Sequence, residues 1–201
     1  MSLSETTNHV CIFLIGGSHF TKQIFTHHHW IKELNNKKYI VKNSRTANLN
    51  TLMMECKQFI QYCNNKFENP IIGTIGICSG GYFSLRLKKS LYKLDFCITI
   101  SPVLNPQYRK ARLQDMKEIN INPYFNNIIR ATPKIRKIYN SIDKNTLIIT
   151  SKNDVQVPIE MFHDYNIPHF IILQDEGHEI THKPSSKIMN YIHKFIESKT
   201  T

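Results

Sequence analysis

No stretch of the 201 residues is apolar enough, for long enough, to span a bilayer as a helix. The first residues, Met1 to Thr7, lack the basic and apolar regions of a secretory leader, so none is expected. Internal repeats and low-complexity linkers are missing, and the length leaves no room for a second full domain, so residues 1–201 are read as one domain. There is no G-x-x-x-x-G-K-[ST] phosphate loop, no G-x-G-x-x-G turn, no zinc-type Cys or His pairing and no RNA-binding signature. Acidic residues are scarce, 15 against 26 Lys and Arg, for a net charge of +11. Such a surface suits anionic substrates, anionic headgroups or nucleic acid without choosing among them.

What is present is ordinary for a globular chain: 41% hydrophobic and 20% charged residues exclude wholesale disorder. The 5 cysteines, at positions 11, 56, 63, 78 and 97, are odd in number and show no metal-ligand spacing. Cys11 and Cys97 lie inside apolar runs, where a thiol acts as a small hydrophobe. A reducing compartment with no disulfide framework is expected, which points to the cytoplasm.

Short apolar runs alternate with longer amphipathic ones. Strands are expected at His9–Ile15, Lys38–Val41, Ile71–Ile77, Asp95–Ser101, Thr146–Ser151 and Phe170–Leu173. Helices are expected at Thr21–Leu34, Asn48–Cys63 (capped by Asn48 or Asn50), from Cys78 to about Leu94, and at Ser185–Glu197. Alternation of this kind predicts an α/β fold: about six mainly parallel strands with helices on both faces, and ligands at the carboxyl ends of the strands. Between Pro102 and Lys144 the rhythm breaks. The segment is polar and basic, carrying Arg109, Lys110, Arg112, Lys117, Arg130, Lys134, Arg136 and Lys137, and is read as a helical cap at about 103–144.

The most specific motif is Gly76-Ile77-Cys78-Ser79-Gly80-Gly81, between an expected strand and an expected helix. A nucleophile elbow puts its central residue on a strained turn, and strand and helix pass so close that residues two positions to either side must be small. Centring the turn on Cys78 places Gly76 and Gly80 there. Centring it on Ser79 puts the β-branched Ile77 at a crowded position, so Cys78 is preferred and Ser79 stays the rival.

This pattern resembles the α/β-hydrolase superfamily box with cysteine in place of serine, as in dienelactone hydrolase-like members. The resemblance implies a compact α/β-hydrolase fold and a catalytic order of nucleophile, acid, histidine. Asp154, in Asn153-Asp154-Val155-Gln156-Val157-Pro158, matches the acid; its bland reading is a turn aspartate. His178, in Glu176-Gly177-His178, matches the base, with His182 as the spare. Asp175 and Glu176 are nearer His178 in sequence, but adjacency along a chain rarely gives the required orientation. The oxyanion donors implied are the N–H of Ser79 and that of Gly17 or Ser18, after the first strand.

His27-His28-His29 resembles a metal clamp, yet neighbours on a helix point about 100° apart and do not converge, so a solvated face is expected. Trp30 is read as core. The expectation is therefore a hydrolase of an ester, lactone or thioester working through an acyl-Cys78 intermediate, with no cofactor and no metal. Its partner would be a small acyl substrate, an anionic one suiting the basic surface, and peripheral contact with an anionic membrane stays open. The rivals are a Ser79 esterase, lipase or lysophospholipase, an acyltransferase, and a non-catalytic member of the fold that binds protein or nucleic acid through its basic surface.

Overall fold

The computed structural model describes residues 9–16, 26–44, 48–91, 93–105 and 142–200. The elements in chain order are β1 (Val10–Ile15), α1 (Thr26–Asn36), β2 (Ile40–Ser44), α2 (Leu49–Lys66), β3 (Ile71–Ile77), α3 (Ser79–Ser90), β4 (Phe96–Ile100), β5 (Thr146–Ser151), β6 (His169–Leu173) and α4 (Ser186–Glu197). Short 3-10 turns lie at Ile159–Phe162 and His178–Thr181. The six strands form one sheet in the order β2-β1-β3-β4-β5-β6, every pair parallel. β3, β4 and β5 are buried along their whole length, as their largely apolar runs require for a sheet covered on both faces.

The strand order sets where the site can lie. From β1 the chain steps one way to β2, then crosses back to β3 and continues in the opposite direction. With right-handed crossovers this reversal puts α1 on one face and α2 and α3 on the other. α4 joins the α1 side, where the Tyr39 hydroxyl lies 2.6 Å from Nδ1 of His193 on α4. The crevice of such a sheet opens at the carboxyl ends of the strands flanking the reversal, β1 and β3. Gly16 and Cys78 follow those two ends.

Several boundaries differ from the sequence expectation, three of them for local reasons that the backbone shows. Lys38 has φ 62° and closes α1 in the left-handed conformation, with its N–H on Asn35 O at 2.8 Å, so β2 starts at Ile40 and runs on to Ser44 in register with Ile15. α3 ends at Ser90 because Leu91 is extended. Asp95 stays outside β4 but pairs like a strand residue: its N–H donates to Ile72 O and its carboxylate accepts from Ile72 N–H, both at 2.7 Å. Of the two candidate caps for α2, Asn48 acts, accepting from the N–H groups of Asn50 and Thr51.

The core holds Trp30, fully buried, whose Nε1–H donates to Thr181 O at 3.1 Å. Val103 and Leu104, placed by sequence at the start of a cap, are fully buried core residues. The rest of the expected cap, 106–141, lies outside the described residues, as does the start of the first expected helix. No helix among the described residues is long and apolar enough to cross a membrane.

Candidate active site

Parallel register pairs Ile77 at the end of β3 with Ile100 at the end of β4, so Cys78 and Ser101 are the next residues on adjacent strands. Both are left-handed without being glycine, Cys78 at φ 54° and ψ −122° and Ser101 at φ 43°. Such conformations cost of order 1–3 kcal/mol each and persist only where surroundings impose them. Here the Cys78 N–H donates to Ile100 O and the Ser101 N–H to Ile149 O, both at 2.8 Å, while Cys78 O accepts from Gly81 N–H at 2.9 Å.

The flanking glycines are demanded by space. A Cβ on Gly76 would lie 2.4 Å from Ser84 Oγ and 2.5 Å from Gly80 O. One on Gly80 would lie 2.3 Å from Ile15 O and 2.5 Å from Gly16 O. The start of α3 thus abuts the end of β1 with no room for a side chain. Ser79 is the first residue of α3, outside the left-handed turn, and its hydroxyl is fully buried.

Asp154 follows β5 and is 1% exposed. Its Oδ1 accepts from the N–H groups of Gln156 at 3.0 Å and Val157 at 2.9 Å, the hydrogen bonding of a turn aspartate. The same carboxylate faces His178, with Nδ1 at 3.0 Å from Oδ1 and 2.9 Å from Oδ2. The bland and functional readings of this residue therefore coexist. Facing a carboxylate, Nδ1 carries the proton and donates, which leaves Nε2 for the hydrogen bond His178 makes with the Cys78 side chain. His178 itself sits at the start of a 3-10 turn after β6, where Thr181 Oγ1 donates to His178 O at 2.7 Å.

Of the two acids nearer in sequence, Asp175 is exposed and Glu176 is engaged elsewhere. Glu176 accepts from Ser185 Oγ, at the N-cap of α4. Glu179 accepts from Gly177 N–H. The ring of His182 stands 6.4 Å from that of His178, edge-on. Gly17 and Ser18 lie outside the described residues. The Ser79 N–H sits in the first turn of α3, where backbone donors have no partner within the helix.

The electrostatics separate Cys78 from the other four cysteines. Burial pushes the thiols of Cys11 and Cys63 up, that of Cys56 to about 12 and that of Cys97 to about 11, which fixes them as inert hydrophobes. Cys78 is also buried, but unlike them it has the His178 imidazole beside it and lies at the N-terminus of α3. Burial alone would lower the pKa of His178. The hydrogen bonds to Asp154 and Cys78 override it and push the value up to about 9. Burial likewise opposes the charge on Asp154, but its bonds from His178 hold the carboxyl below its usual range.

Ser101 is the residue that sequence reasoning passed over. Its hydroxyl falls short of regular hydrogen-bond geometry, yet it stands against Asp154 and favours the charged form. The only sequence signal is a strand end one residue before Pro102. Among the described residues no group of three or more His, Cys, Asp or Glu side chains is placed to hold a metal, and His28 and His29 are exposed. A groove of about 950 Å³ lies at the outer edge of β2, between Ile31 and Tyr62, and none of the candidate residues lines it.

No protein-family model matches the sequence, and no curated protein matches it. Solved structures do resemble it. The esterase Pf2001 of Pyrococcus furiosus superposes with a TM-score of 0.72 at 15% identity, over 96% of this chain and 83% of that one. An α/β-hydrolase enzyme from the metagenome of sediments of the Mar Chica lagoon gives 0.66 at 15% identity, over 96% and 93%. Carboxyl esterase 2 of the fungus Tuber melanosporum gives 0.68 at 12% identity, over 94% and 77%. With its six parallel strands, the chain has the α/β-hydrolase fold.

Proposed function

We propose that this protein is a hydrolase of small acyl esters, lactones or thioesters, with Cys78 as nucleophile, His178 as base and Asp154 as its orienting acid. One observation carries the reading: a cysteine on a left-handed strand-to-helix turn, hydrogen-bonded to a histidine whose far nitrogen is held at 2.9 Å by a buried carboxylate. The structures with which the chain shares its fold include esterases, which supports ester chemistry.

In this mechanism His178 takes the Cys78 proton and the sulfur attacks the substrate carbonyl. The developing oxyanion is met by the Ser79 N–H and by a donor from the loop after β1, for which Gly17 and Ser18 remain the candidates. The leaving group departs with the proton His178 had taken, His178 then takes a proton from water as the water adds to the acyl carbon, and the carbon–sulfur bond breaks to release the acid and restore Cys78. Every group required is a side chain or backbone amide of the chain itself. The reading places the enzyme in the cytoplasm, where Cys78 stays reduced.

The test is turnover of p-nitrophenyl esters of increasing acyl length. Cys78→Ala is expected to abolish it, and Ser79→Ala to retain it. Loss with Ser79→Ala alone would move the nucleophile by one residue. Acyl-enzyme formation without turnover would favour an acyltransferase.

A further inference from the structure

Two buried polar groups at the carboxyl ends of β4 and β5 are each short of a partner, and they stand side by side. A carboxylate has room for about four donors. Asp154 Oδ1 takes three, the N–H groups of Gln156 and Val157 and Nδ1 of His178, all within 3.0 Å. Among the described residues Oδ2 takes Nδ1 of His178 alone, at 2.9 Å, although Asp154 is 1% exposed. The Ser101 hydroxyl is fully buried and has no partner in regular geometry among the same residues. Buried polar groups in native proteins are almost always paired, because leaving one unmet is costly. Ser101 lies against Asp154, and a hydroxyl turns to suit its acceptor, so each group supplies what the other lacks.

The backbone around Ser101 holds it in this place. Ile100 O accepts the Cys78 N–H at 2.8 Å, and three residues on the Val103 N–H returns to Cys78 O at 3.3 Å. Pro102 packs so tightly on α3 that a Cβ on Gly81 would lie 2.5 Å from Pro102 Cβ. The segment 100–103 therefore grips the nucleophile residue by both its N–H and its carbonyl. On the other side, the Ser101 N–H donates to Ile149 O of β5, the strand that leads into Asp154. Ser101 makes this link at φ 43°, a conformation that non-glycine residues keep where a fixed geometry serves a site.

Resting on the hydrolase reading, we propose that Ser101 is a positioning residue for catalysis: its hydroxyl donates to the Asp154 carboxylate and fixes the orientation that Asp154 passes on to His178. Without that hydroxyl the carboxylate is pinned through Oδ1 to its own loop, at Gln156 and Val157, and Oδ2 is held only by the ring it is meant to orient. With it, Asp154 is tied to the strand end that also grips Cys78. Nucleophile, base and acid then share one frame, and small misplacements among them are what cost rate. Ser101 acts through Asp154 and not on the substrate.

The test uses Ser101→Ala, which removes the hydroxyl and keeps the strain, and Ser101→Gly, which removes both. Values of kcat and KM for p-nitrophenyl butyrate are measured on folded protein, with melting followed by circular dichroism. Both variants are expected to lose at least about 10-fold in kcat, the low end for a hydrogen bond to a charged group, with KM unchanged. Equal losses in the two, whatever their melting temperatures, tie the effect to the hydroxyl and not to the strain. In the Asp154→Asn background, Ser101→Ala is expected to change kcat by less than about twofold, because the group it acts through is already gone. A merely structural role would multiply the two losses, and that result overturns the inference. So does a Ser101→Ala enzyme that keeps kcat within about twofold of the native protein. Either outcome leaves the hydrolase reading standing. Turnover that survives Cys78→Ala removes that reading, and this inference goes with it.

Discussion

Gly80→Ala isolates the contact on which the turn at Cys78 depends. The added methyl would sit 2.3 Å from Ile15 O, 2.5 Å from Gly16 O and 2.7 Å from Ile15 C, all backbone atoms at the end of β1. Ordinary contact is about 3.5 Å, so relief needs roughly 1 Å of separation between α3 and β1. Overpacking of this kind costs about 1–3 kcal/mol, which in a domain of this size lowers Tm by roughly 2–12 °C. The larger effect is geometric. α3 starts one residue after Cys78, so moving it shifts the sulfur against His178 and the Ser79 N–H against the loop after β1. A misplacement of about 1 Å at reacting atoms costs on the order of 100-fold in rate.

Gly73→Ala supplies the contrast. A Cβ there would lie 2.3 Å from the Phe96 ring, inside the sheet and away from the carboxyl ends of the strands. It should destabilise the fold as much or more, yet leave kcat per folded molecule within about twofold. Both variants are assayed with p-nitrophenyl butyrate below their own melting transitions, with folded fractions set by circular dichroism. The reasoning is refuted if Gly80→Ala keeps its full kcat/KM, or if Gly73→Ala loses as much activity per folded molecule.

Asp154→Asn should lower kcat by about 10²–10⁴-fold with little change in KM, because the imidazole loses its orienting acceptor. In the same variant the His178 pKa should fall from about 9 towards its ordinary 6.5, read from the ring protons by NMR, and an unmoved value would sink the assignment. The pair also sets a pH window for stability. The pKa of His178 is raised by folding, so its contribution is complete below about pH 6.5 and is lost as pH rises through about 9. The pKa of Asp154 is depressed, so its contribution is complete above the ordinary carboxylate value of 3.8 and is lost as pH falls through its lower folded value. The raised histidine corresponds to about 3 kcal/mol, so urea midpoints of native protein and His178→Gln should differ most near pH 6 and converge above pH 9. A gap that widens with pH would mean the histidine is buried neutral.

How far the sequence could be read follows from whether each feature is forced locally or imposed by neighbours. The largely apolar runs of β1, β3 and β5 announce strands covered on both faces because burial acts on each residue separately. Gly76 and Gly80 announce the turn because a single Cβ at either would meet backbone or side-chain atoms within 2.5 Å. Chain order adds Asp154 and His178, which the fold brings to 2.9 Å although 24 residues separate them. Lys38 gave no warning, since a lysine that closes a helix in the left-handed region looks like any other surface lysine. Strand order was equally silent: alternation predicts a parallel sheet, while the reversal that opens the crevice between β1 and β3 is settled only by which faces pack. Ser101 is the clearest case. Its strain is held by a hydrogen bond to Ile149 O on β5, 48 positions along the chain, and its position beside Asp154 follows from the register of β4 and β5. Of two left-handed residues on adjacent strand ends, the one flanked by obligatory glycines was legible, and the one held by its neighbours alone was not.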